Sequence, residues 1–183
     1  MTIEFVPFQK IGRLSRGCTI TEKIDGTNAS IYIGDDGTFL TGSRTRWITP
    51  EDDNYGFARW AHAHRVELLT LGPGFHYGEW WGLGIQRAYG QTEKRFSLFN
   101  AMRWSDELGG RPACCSVVPV IYQGLFDMTQ VLASIDTLRT SGSLAAPGFM
   151  RPEGIVVFHH ATKTLFKKTL EKDEKPKGSK EES

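Results

Sequence analysis

The sequence has no long apolar run and no recognisable targeting segment. No stretch approaches the ~18 consecutive apolar residues that a membrane-spanning helix needs. The N-terminal residues MTIEFVPFQK lack the basic and then apolar order of a secretory signal. These absences predict a cytoplasmic protein that makes no contact with a membrane.

Cysteine and net charge are also scarce. Cys18, Cys114 and Cys115 are too few and too poorly spaced for a disulfide framework, and no Cys-x-x-Cys pair indicates a zinc site. Reduced thiols in a cytosol are the simplest interpretation. The formal net charge is only +1, so the chain as a whole is not a polycation. A nucleic-acid partner would therefore need a locally basic face.

The composition that remains predicts one α+β domain. The chain has 183 residues, of which 39% are hydrophobic, enough for a sizeable core. Helices are predicted from Thr49-Pro50-Glu51, a cap followed by an N1 proline, to Leu69, and from Asp127 to just before Gly142. Segments rich in β-branched and aromatic residues predict strands, in mostly antiparallel sheets, at 29–34, 38–43, 74–82, 95–102, 116–124, 154–160 and 163–170.

The segment most informative about chemistry is Glu22-Lys23-Ile24-Asp25-Gly26-Thr27-Asn28, where a lysine stands at a predicted loop-to-strand junction. Lys-x-Asp-Gly is also common in ordinary surface turns. A free lysine has a pKa of ~10.4, and attack on phosphorus requires the neutral amine. A nucleophilic role for Lys23 therefore requires cationic residues and a metal elsewhere in its pocket. Gly26 would let backbone approach a nucleotide closely.

Further short motifs follow in a fixed order. They are Gly42-Ser43-Arg44-Thr45-Arg46, Tyr77-Gly78-Glu79, Phe96-Ser97-Leu98-Phe99-Asn100, Glu153-Gly154-Ile155-Val156-Val157 and Phe166-Lys167-Lys168. The ordered set resembles the nucleotidyltransferase motifs of covalent ligases and capping enzymes, and Glu-Lys-x-x-Gly-Thr-Asn most resembles the RNA ligases. The resemblance covers roughly residues 20–170. It implies an adenylyltransferase domain at 1–170, an ATP-grasp-like nucleotidyltransferase core with nucleotide bound between antiparallel sheets flanked by helices. Residues 171–183 lack large apolar side chains, which predicts a charged, disordered tail.

The resemblance also implies roles for individual residues. Lys23 would attack the α-phosphate of ATP and carry AMP, and Glu153 would help to hold a hydrated Mg²⁺ or Mn²⁺. The residues expected to bind the nucleotide are Glu22 and Ile24 beside the lysine, Asn28 near the reactive phosphate, Arg44 on ribose or phosphate, Glu79 on the ribose and Phe99 stacked on adenine. Arg46 is the reserve for Arg44, because both have the same parity along a strand.

The last motif departs from the family pattern, because many relatives have Lys-x-Lys. Here Lys167 and Lys168 are adjacent, so they point to opposite faces of a strand. Lys163, Lys167 and Thr169 share one parity, whereas Phe166, Lys168 and Leu170 share the more apolar one. This pattern favours Lys167 as the lysine that neutralises charge on the α-phosphate, with Lys168 as the alternative.

The function that the resemblance implies is ATP-dependent RNA ligation, with ATP, a divalent metal and nucleic acid as partners. A minimal DNA ligase and a non-catalytic adenylate-binding or nucleic-acid-binding module are the alternatives. Several motif residues also have ordinary structural interpretations: Glu79 as a strand-edge carboxylate, Phe99 as core, and Glu153-Gly154 as a turn. Because little sequence follows Leu170, the substrate would be gripped by the core, by an accessory nucleic-acid-binding protein, or by lysines of the tail.

Overall fold

A computed structural model describes residues 3–171 and residue 173, and in these residues two β-sheets carry the fold. The four-stranded sheet has the order β10-β9-β1-β8, and the six-stranded sheet has the order β4-β3-β2-β5-β6-β7. The strands are β1 (Gly17–Lys23), β2 (Thr27–Ile33), β3 (Phe39–Gly42), β4 (Trp47–Ile48), β5 (Gly74–Gly82), β6 (Lys94–Leu98), β7 (Cys115–Val117), β8 (Val120–Leu125), β9 (Gly154–His159) and β10 (Thr164–Thr169). All pairings are antiparallel except β6 with β7.

Four α-helices lie among these strands. They are α1 (Phe57–Ala63), α2 (Arg65–Leu68), α3 (Ala101–Trp104) and α4 (Met128–Ser141). The second predicted helix is confirmed as α4, and the Asp127 side chain caps it by accepting a hydrogen bond from the backbone N–H of Thr129. None of the helices in the described residues combines the length and apolarity needed to cross a bilayer.

The predicted start of the first helix at Thr49 is wrong. Helix α1 begins only at Phe57, preceded by Gly56 at a φ of 84°. The buried carboxylate of Asp53 accepts hydrogen bonds from the backbone N–H groups of Ala58 and Arg59, so it satisfies donors that the helix itself cannot pair. The residues from Pro50 to Gly56 therefore form the loop that delivers this cap.

Two strand predictions also need correction, and two strands, β1 and the two-residue β4, were not predicted. The predicted strand at 95–102 ends at Leu98, because Asn100 caps α3 through the N–H of Arg103. The predicted strand at 116–124 is split into β7 and β8 around Pro119, which has no N–H to donate to a ladder. Lys23 is the last residue of strand β1, whereas the sequence predicted that a loop leads into this residue.

Strand periodicity assigns one face of each sheet to a separate core. Alternate residues of β2, β5 and β6, such as Ile31, Trp80 and Phe96, pack with α1 and α2. In the other sheet, Ile20 and Ile155 pack with α4. A third cluster joins the sheets near the β1–β2 turn and contains Ile24, Trp81, Tyr89, Val118 and Ala146. The remaining sheet faces carry the polar residues of the motifs.

The predicted domain at 1–170 lies almost entirely within the described residues. The predicted tail at 171–183 lies outside them, apart from residues 171 and 173.

Candidate active site

The predicted nucleophile lies against the predicted metal ligand. The Nζ atom of Lys23 is 2.5 Å from Oε2 of Glu153, although the two residues are 130 positions apart in sequence. Strand pairing causes this contact, because Lys23 at the end of β1 is opposite Gly154 at the start of β9. Glu153 is almost fully buried, whereas Lys23 retains some exposure. The lysine is thus partly accessible, and a buried carboxylate holds its amine in place.

Gly154 allows strand β10 to pass close to this pair. Its φ is +154°, and a Cβ atom added here would lie 2.7 Å from the Cα of Thr169. Residues with a side chain rarely adopt that backbone conformation. The glycine after Glu153 is therefore a structural requirement of the β9–β10 pairing next to the lysine.

Glu79 is a second buried carboxylate in the same region. Its Oε1 accepts a hydrogen bond from the N–H of Gly26 at 3.0 Å, and its Oε2 accepts one from the side-chain amide of Asn28 at 3.1 Å. Burial raises the pKa of Glu79 to about 7, although the Lys23 ammonium and these two hydrogen bonds oppose the rise. Glu79 is therefore more than the strand-edge carboxylate of the alternative interpretation.

Gly26 has a structural role in addition to the nucleotide approach predicted for it. A Cβ atom at this position would lie 2.7 Å from the Cβ of Trp81 and 3.0 Å from the Cγ of Glu79. The absence of a side chain therefore lets strand β5 approach the β1–β2 turn. That approach brings the Gly26 N–H within reach of Glu79.

Arg87 and Tyr89, in the loop between β5 and β6, tie together the two segments that form the lysine–carboxylate pair. The guanidinium of Arg87 bonds to the carboxylate of Asp25 at 3.0 Å and donates to the carbonyl oxygen of Arg151 at 2.9 Å. The hydroxyl of buried Tyr89 accepts a hydrogen bond from the N–H of Asp25. This loop therefore fixes the backbone after Lys23 and the backbone before Glu153.

Sequence reasoning missed both residues. The only sequence signal was an arginine and a tyrosine in a loop bounded by Gly82, Gly84 and Gly90. Tyr89 has a φ of 52°, which is uncommon for a residue with a side chain and is visible only in the structure.

The side chains of Glu22 and Ile24 are buried and do not extend toward the predicted nucleotide site. The carboxylate of Glu22 is buried and accepts hydrogen bonds from the Ser143 hydroxyl at 2.6 Å and from the N–H groups of Leu144 and Ala145. Ile24 is buried in the cluster that joins the sheets. These side chains have other partners, and the backbone N–H of Glu22 donates to the carbonyl oxygen of Pro119. Neither side chain is therefore available for the predicted nucleotide contacts.

Asn28, Glu79 and Phe99 lie on one face of the six-stranded sheet. Asn28 is opposite Glu79 in the register, and Phe99 extends the β5–β6 pairing by donating its N–H to the carbonyl oxygen of Tyr77. Residues directly opposite each other on neighbouring strands point to the same face. Phe99 is 41% exposed, so it is not the core residue of the alternative interpretation.

The two candidate arginines differ in their contacts. Arg44 is exposed in the turn after β3 and makes no hydrogen bond to another described residue. Arg46 is paired with Asp52 and also donates to the carbonyl oxygen of Trp47. The guanidinium of the reserve candidate is thus already engaged, which favours Arg44.

The β9–β10 register separates the two lysines of the last motif. Lys167 is opposite Val156, which in turn is opposite Thr21 on β1. Lys23 is two residues after Thr21 on β1, so the two side chains point to the same face. Lys167 therefore shares the face of Lys23. Lys168 is opposite the core residue Ile155, and its Nζ bonds to Asp173 at 3.0 Å. This placement agrees with the parity argument for Lys167.

The carboxylates of the site suit a hydrated metal better than a protein-enclosed one. Among the described residues, no group of three or more His, Cys, Asp or Glu side chains is arranged to hold a metal ion. Mg²⁺ usually keeps several waters and binds one or two carboxylates together with substrate phosphates. Glu153, buried beside the lysine, fits that role as a single carboxylate ligand.

Comparisons with known proteins agree with this geometry. Three similar solved structures are alanine variants of Naegleria gruberi RNA ligase. Two of them contain ATP and Mn, with sequence identities of 20% and 22% and TM-scores of 0.61 and 0.62. The third contains AMP and Mn, with a sequence identity of 20% and a TM-score of 0.62. The matches cover 84%, 85% and 84% of this chain and 48%, 50% and 49% of those chains, respectively. The chain thus spans about half of their length, and the likeness supports the fold.

The family assignment comes from the sequence. No curated protein matches the chain closely enough to count as a relative. A family model described as RNA ligase, however, matches residues 17–169. This range runs from the first strand to the last and includes every motif residue from Glu22 to Lys168. The chain therefore belongs to the RNA ligase family.

Proposed function

We propose that this protein is an ATP-dependent RNA ligase that joins 5′-phosphate and 3′-hydroxyl ends through a lysyl-AMP on Lys23. The observation that carries the proposal is the partly exposed Lys23 amine, 2.5 Å from buried Glu153 and near Glu79. Family membership supports RNA as the substrate. The Naegleria gruberi ligases with ATP or AMP and Mn support ATP and a divalent metal as requirements.

The first step forms a bond between the Lys23 nitrogen and the α-phosphorus of ATP, and the bond from that phosphorus to pyrophosphate breaks. Because the lysine ammonium is paired with Glu153, this pair must separate and the amine must lose a proton before attack. AMP then passes to a 5′-phosphate, and a 3′-hydroxyl finally attacks that phosphate and releases AMP. Alignment and charge neutralisation dominate such phosphoryl transfers.

The remaining site residues divide the work of positioning. Phe99 is exposed enough to stack on adenine, and ionised Glu79 would accept hydrogen bonds from the ribose. Lys167, on the same face as Lys23, would neutralise charge that develops on the α-phosphate. Glu153 would hold a hydrated divalent cation, which supplies further charge neutralisation when it is bound.

The test of covalent adenylation uses radiolabelled ATP and a divalent metal. After denaturation, the wild-type chain should retain label and Lys23→Ala should retain none. Lys10→Ala is the matched control, because Lys10 is an exposed lysine outside the site. Unlabelled wild type would refute the mechanism and leave a non-catalytic adenylate-binding or nucleic-acid-binding module. A labelled Lys23→Ala variant would also refute it, because another residue would then carry the AMP.

The substrate proposal needs a second assay. Nicked duplexes with RNA, DNA or hybrid strands should be sealed best when RNA borders the nick. Preferential sealing of all-DNA nicks would instead identify a minimal DNA ligase. Sealing that occurs only after addition of a nucleic-acid-binding protein would show that an accessory partner is required.

A further inference from the structure

The face of the six-stranded sheet that carries Glu79 continues into a patch of three exposed aromatic side chains and one half-buried one, Tyr32, which we call the aromatic platform. Its members are Tyr32 of β2, Trp47 of β4, and Phe75 and Tyr77 of β5. Trp47, Phe75 and Tyr77 are 49%, 50% and 56% exposed, respectively. Aromatic pairs across strands stabilise sheets, but that role alone leaves half of each ring in water without a partner.

The rings are ordered relative to one another. Phe75 and Tyr77 are nearly parallel, with an interplanar angle of 5° and centroids 5.7 Å apart. Trp47 lies at 18° to Phe75, with centroids 6.0 Å apart, and Tyr32 contacts Phe75 at 4.8 Å. Gly42 makes room for this arrangement, because a Cβ atom there would lie 3.3 Å from the Trp47 ring. Three rings of the platform are therefore nearly parallel, and Tyr32 is tilted against them.

The platform is continuous with the proposed nucleotide site. Tyr77 is opposite Phe99 across one strand spacing, which is about 5 Å. Along β5, Glu79 is two residues beyond Tyr77, a distance of about 7 Å. A polymer whose end reacts at Lys23 would therefore have the platform within reach.

The charge around the platform suits a polyanion. The residues that share this sheet face there, Ser30, Tyr32, Leu40, Trp47, Phe75 and Tyr77, include no acidic side chain. Arg44 is exposed in the turn between β3 and β4, three residues before Trp47. Sequence-tolerant binding of single strands typically combines aromatic rings for bases with cations for phosphates.

We propose that the aromatic platform binds unpaired bases of the RNA strand next to the end being joined, by stacking them on Tyr77, Phe75 and Trp47. This inference rests on the proposed function, because it assigns the substrate of the same site. It also accounts for substrate grip by the core itself. Arg44, which the family resemblance assigns to the ribose or phosphate of the nucleotide, would bind a phosphate of the same strand when no nucleotide is bound.

Binding should be measured by fluorescence anisotropy, without ATP, with a fluorescein-labelled single-stranded RNA of about 12 nucleotides, within the usual size range of such sites. Phe75→Thr and Tyr77→Thr remove the ring and place a β-branched residue, which also favours a strand, and each should weaken binding about 5-fold to about 100-fold. The ring-retaining Phe75→Tyr and Tyr77→Phe should bind like wild type. Leu132→Ser on α4 is the control, because Leu132 is 50% exposed and belongs to a different surface.

The salt dependence of RNA binding distinguishes base stacking from contacts with phosphates. Stacking is not electrostatic, so the threonine variants should keep the wild-type slope of log affinity against log salt concentration. Arg44→Ala should reduce that slope by about 0.7, the value for one lost phosphate contact on a single strand. A changed slope in Tyr77→Thr, together with a normal thermal transition, would contradict base stacking.

A crosslinking measurement on the wild type tests the proposal without requiring that any variant folds. RNA containing 5-iodouridine should, on irradiation, crosslink to residues of the platform, located by mass spectrometry. Crosslinks confined to other surfaces would overturn the proposal. Threonine variants with unchanged RNA affinity would also overturn the proposal. If those variants in addition converted a self-associated wild type into monomers, the platform would be a contact between protein copies. Failure of ATP labelling at Lys23, by contrast, refutes the proposed function and leaves RNA affinity as a separate result.

Discussion

Ionisation of Glu79 should make the folded protein less stable as pH rises, and Glu79→Gln should remove this effect. Glutamine has nearly the same shape as glutamate and cannot ionise. Its amide oxygen can accept the hydrogen bond from the Gly26 N–H, and its NH₂ can donate to Asn28 if the Asn28 amide turns over. The substitution therefore mimics the protonated carboxyl and keeps both contacts of the site.

The magnitude follows from the pKa difference between the folded and unfolded states. Burial raises the pKa of Glu79 from 4.5 to about 7. Because the folded state holds this proton more tightly, stability is highest below the unfolded pKa. It is lost as pH rises from 4.5 to about 7, and it is constant above the folded pKa. At 1.36 kcal/mol per pKa unit, the free energy of unfolding should fall by about 3 kcal/mol over this window because of Glu79.

Urea denaturation of both proteins from pH 4 to pH 8 would measure this effect. The two free energies of unfolding should agree near pH 4, and Glu79→Gln should be more stable by about 3 kcal/mol at pH 8. Glu107→Gln, in an exposed turn, controls for the loss of one negative charge. A difference between wild type and Glu79→Gln that does not vary with pH would refute the reasoning, since it would show that Glu79 ionises as easily in the folded as in the unfolded state.

Three further predictions concern the surroundings of Lys23. Lys167→Ala should slow ATP labelling by about 10²-fold or more, the usual cost of a lost transition-state contact, whereas Lys168→Ala should have little effect; the reverse order would show that β10 presents the other face. Arg87→Ala should slow single-turnover labelling, and Arg87→Lys should not restore it, because a lysine cannot reach both Asp25 and the facing carbonyl groups; full rescue by lysine would contradict this fork-like role. Gly154→Ala should cost about 1–3 kcal/mol through backbone strain and lower the Tm by several degrees in a thermal scan, and an unchanged Tm would show that the β9–β10 pairing adapts without strain.

Local sequence signals predicted those elements whose residues alone determine their conformation. The β5 prediction at 74–82 matches the observed strand, and the second predicted helix matches α4. Both have a clear periodicity and a local start or stop signal. The first helix was misplaced because its cap is Asp53, whose carboxylate reaches N–H groups five and six residues later. Thr49 and Pro50 carry the usual start signal but do not occupy that position.

Strand parity was enough to assign the two candidate lysines of the last motif to sheet faces. The parity of β10 assigned Lys167 and Lys168 to opposite faces, and the register places Lys167 on the face of Lys23. Parity gave no information on Glu22, whose carboxylate is taken by the loop at Ser143. That partner is 121 residues away, and no local pattern indicates it.

The sequence by itself determined the family, the order of the motifs and the alternation of most strands, because these depend on residue identity and short spacing. Only the tertiary structure decided which distant groups meet: Lys23 with Glu153 through the β1–β9 register, and Glu79 with the N–H of Gly26 through the close approach of β5. It also decided that Glu79 is buried enough to raise its pKa and that the aromatic platform is exposed beside it. Contact and burial depend on the packing of the whole chain, and single residues or short motifs do not encode them.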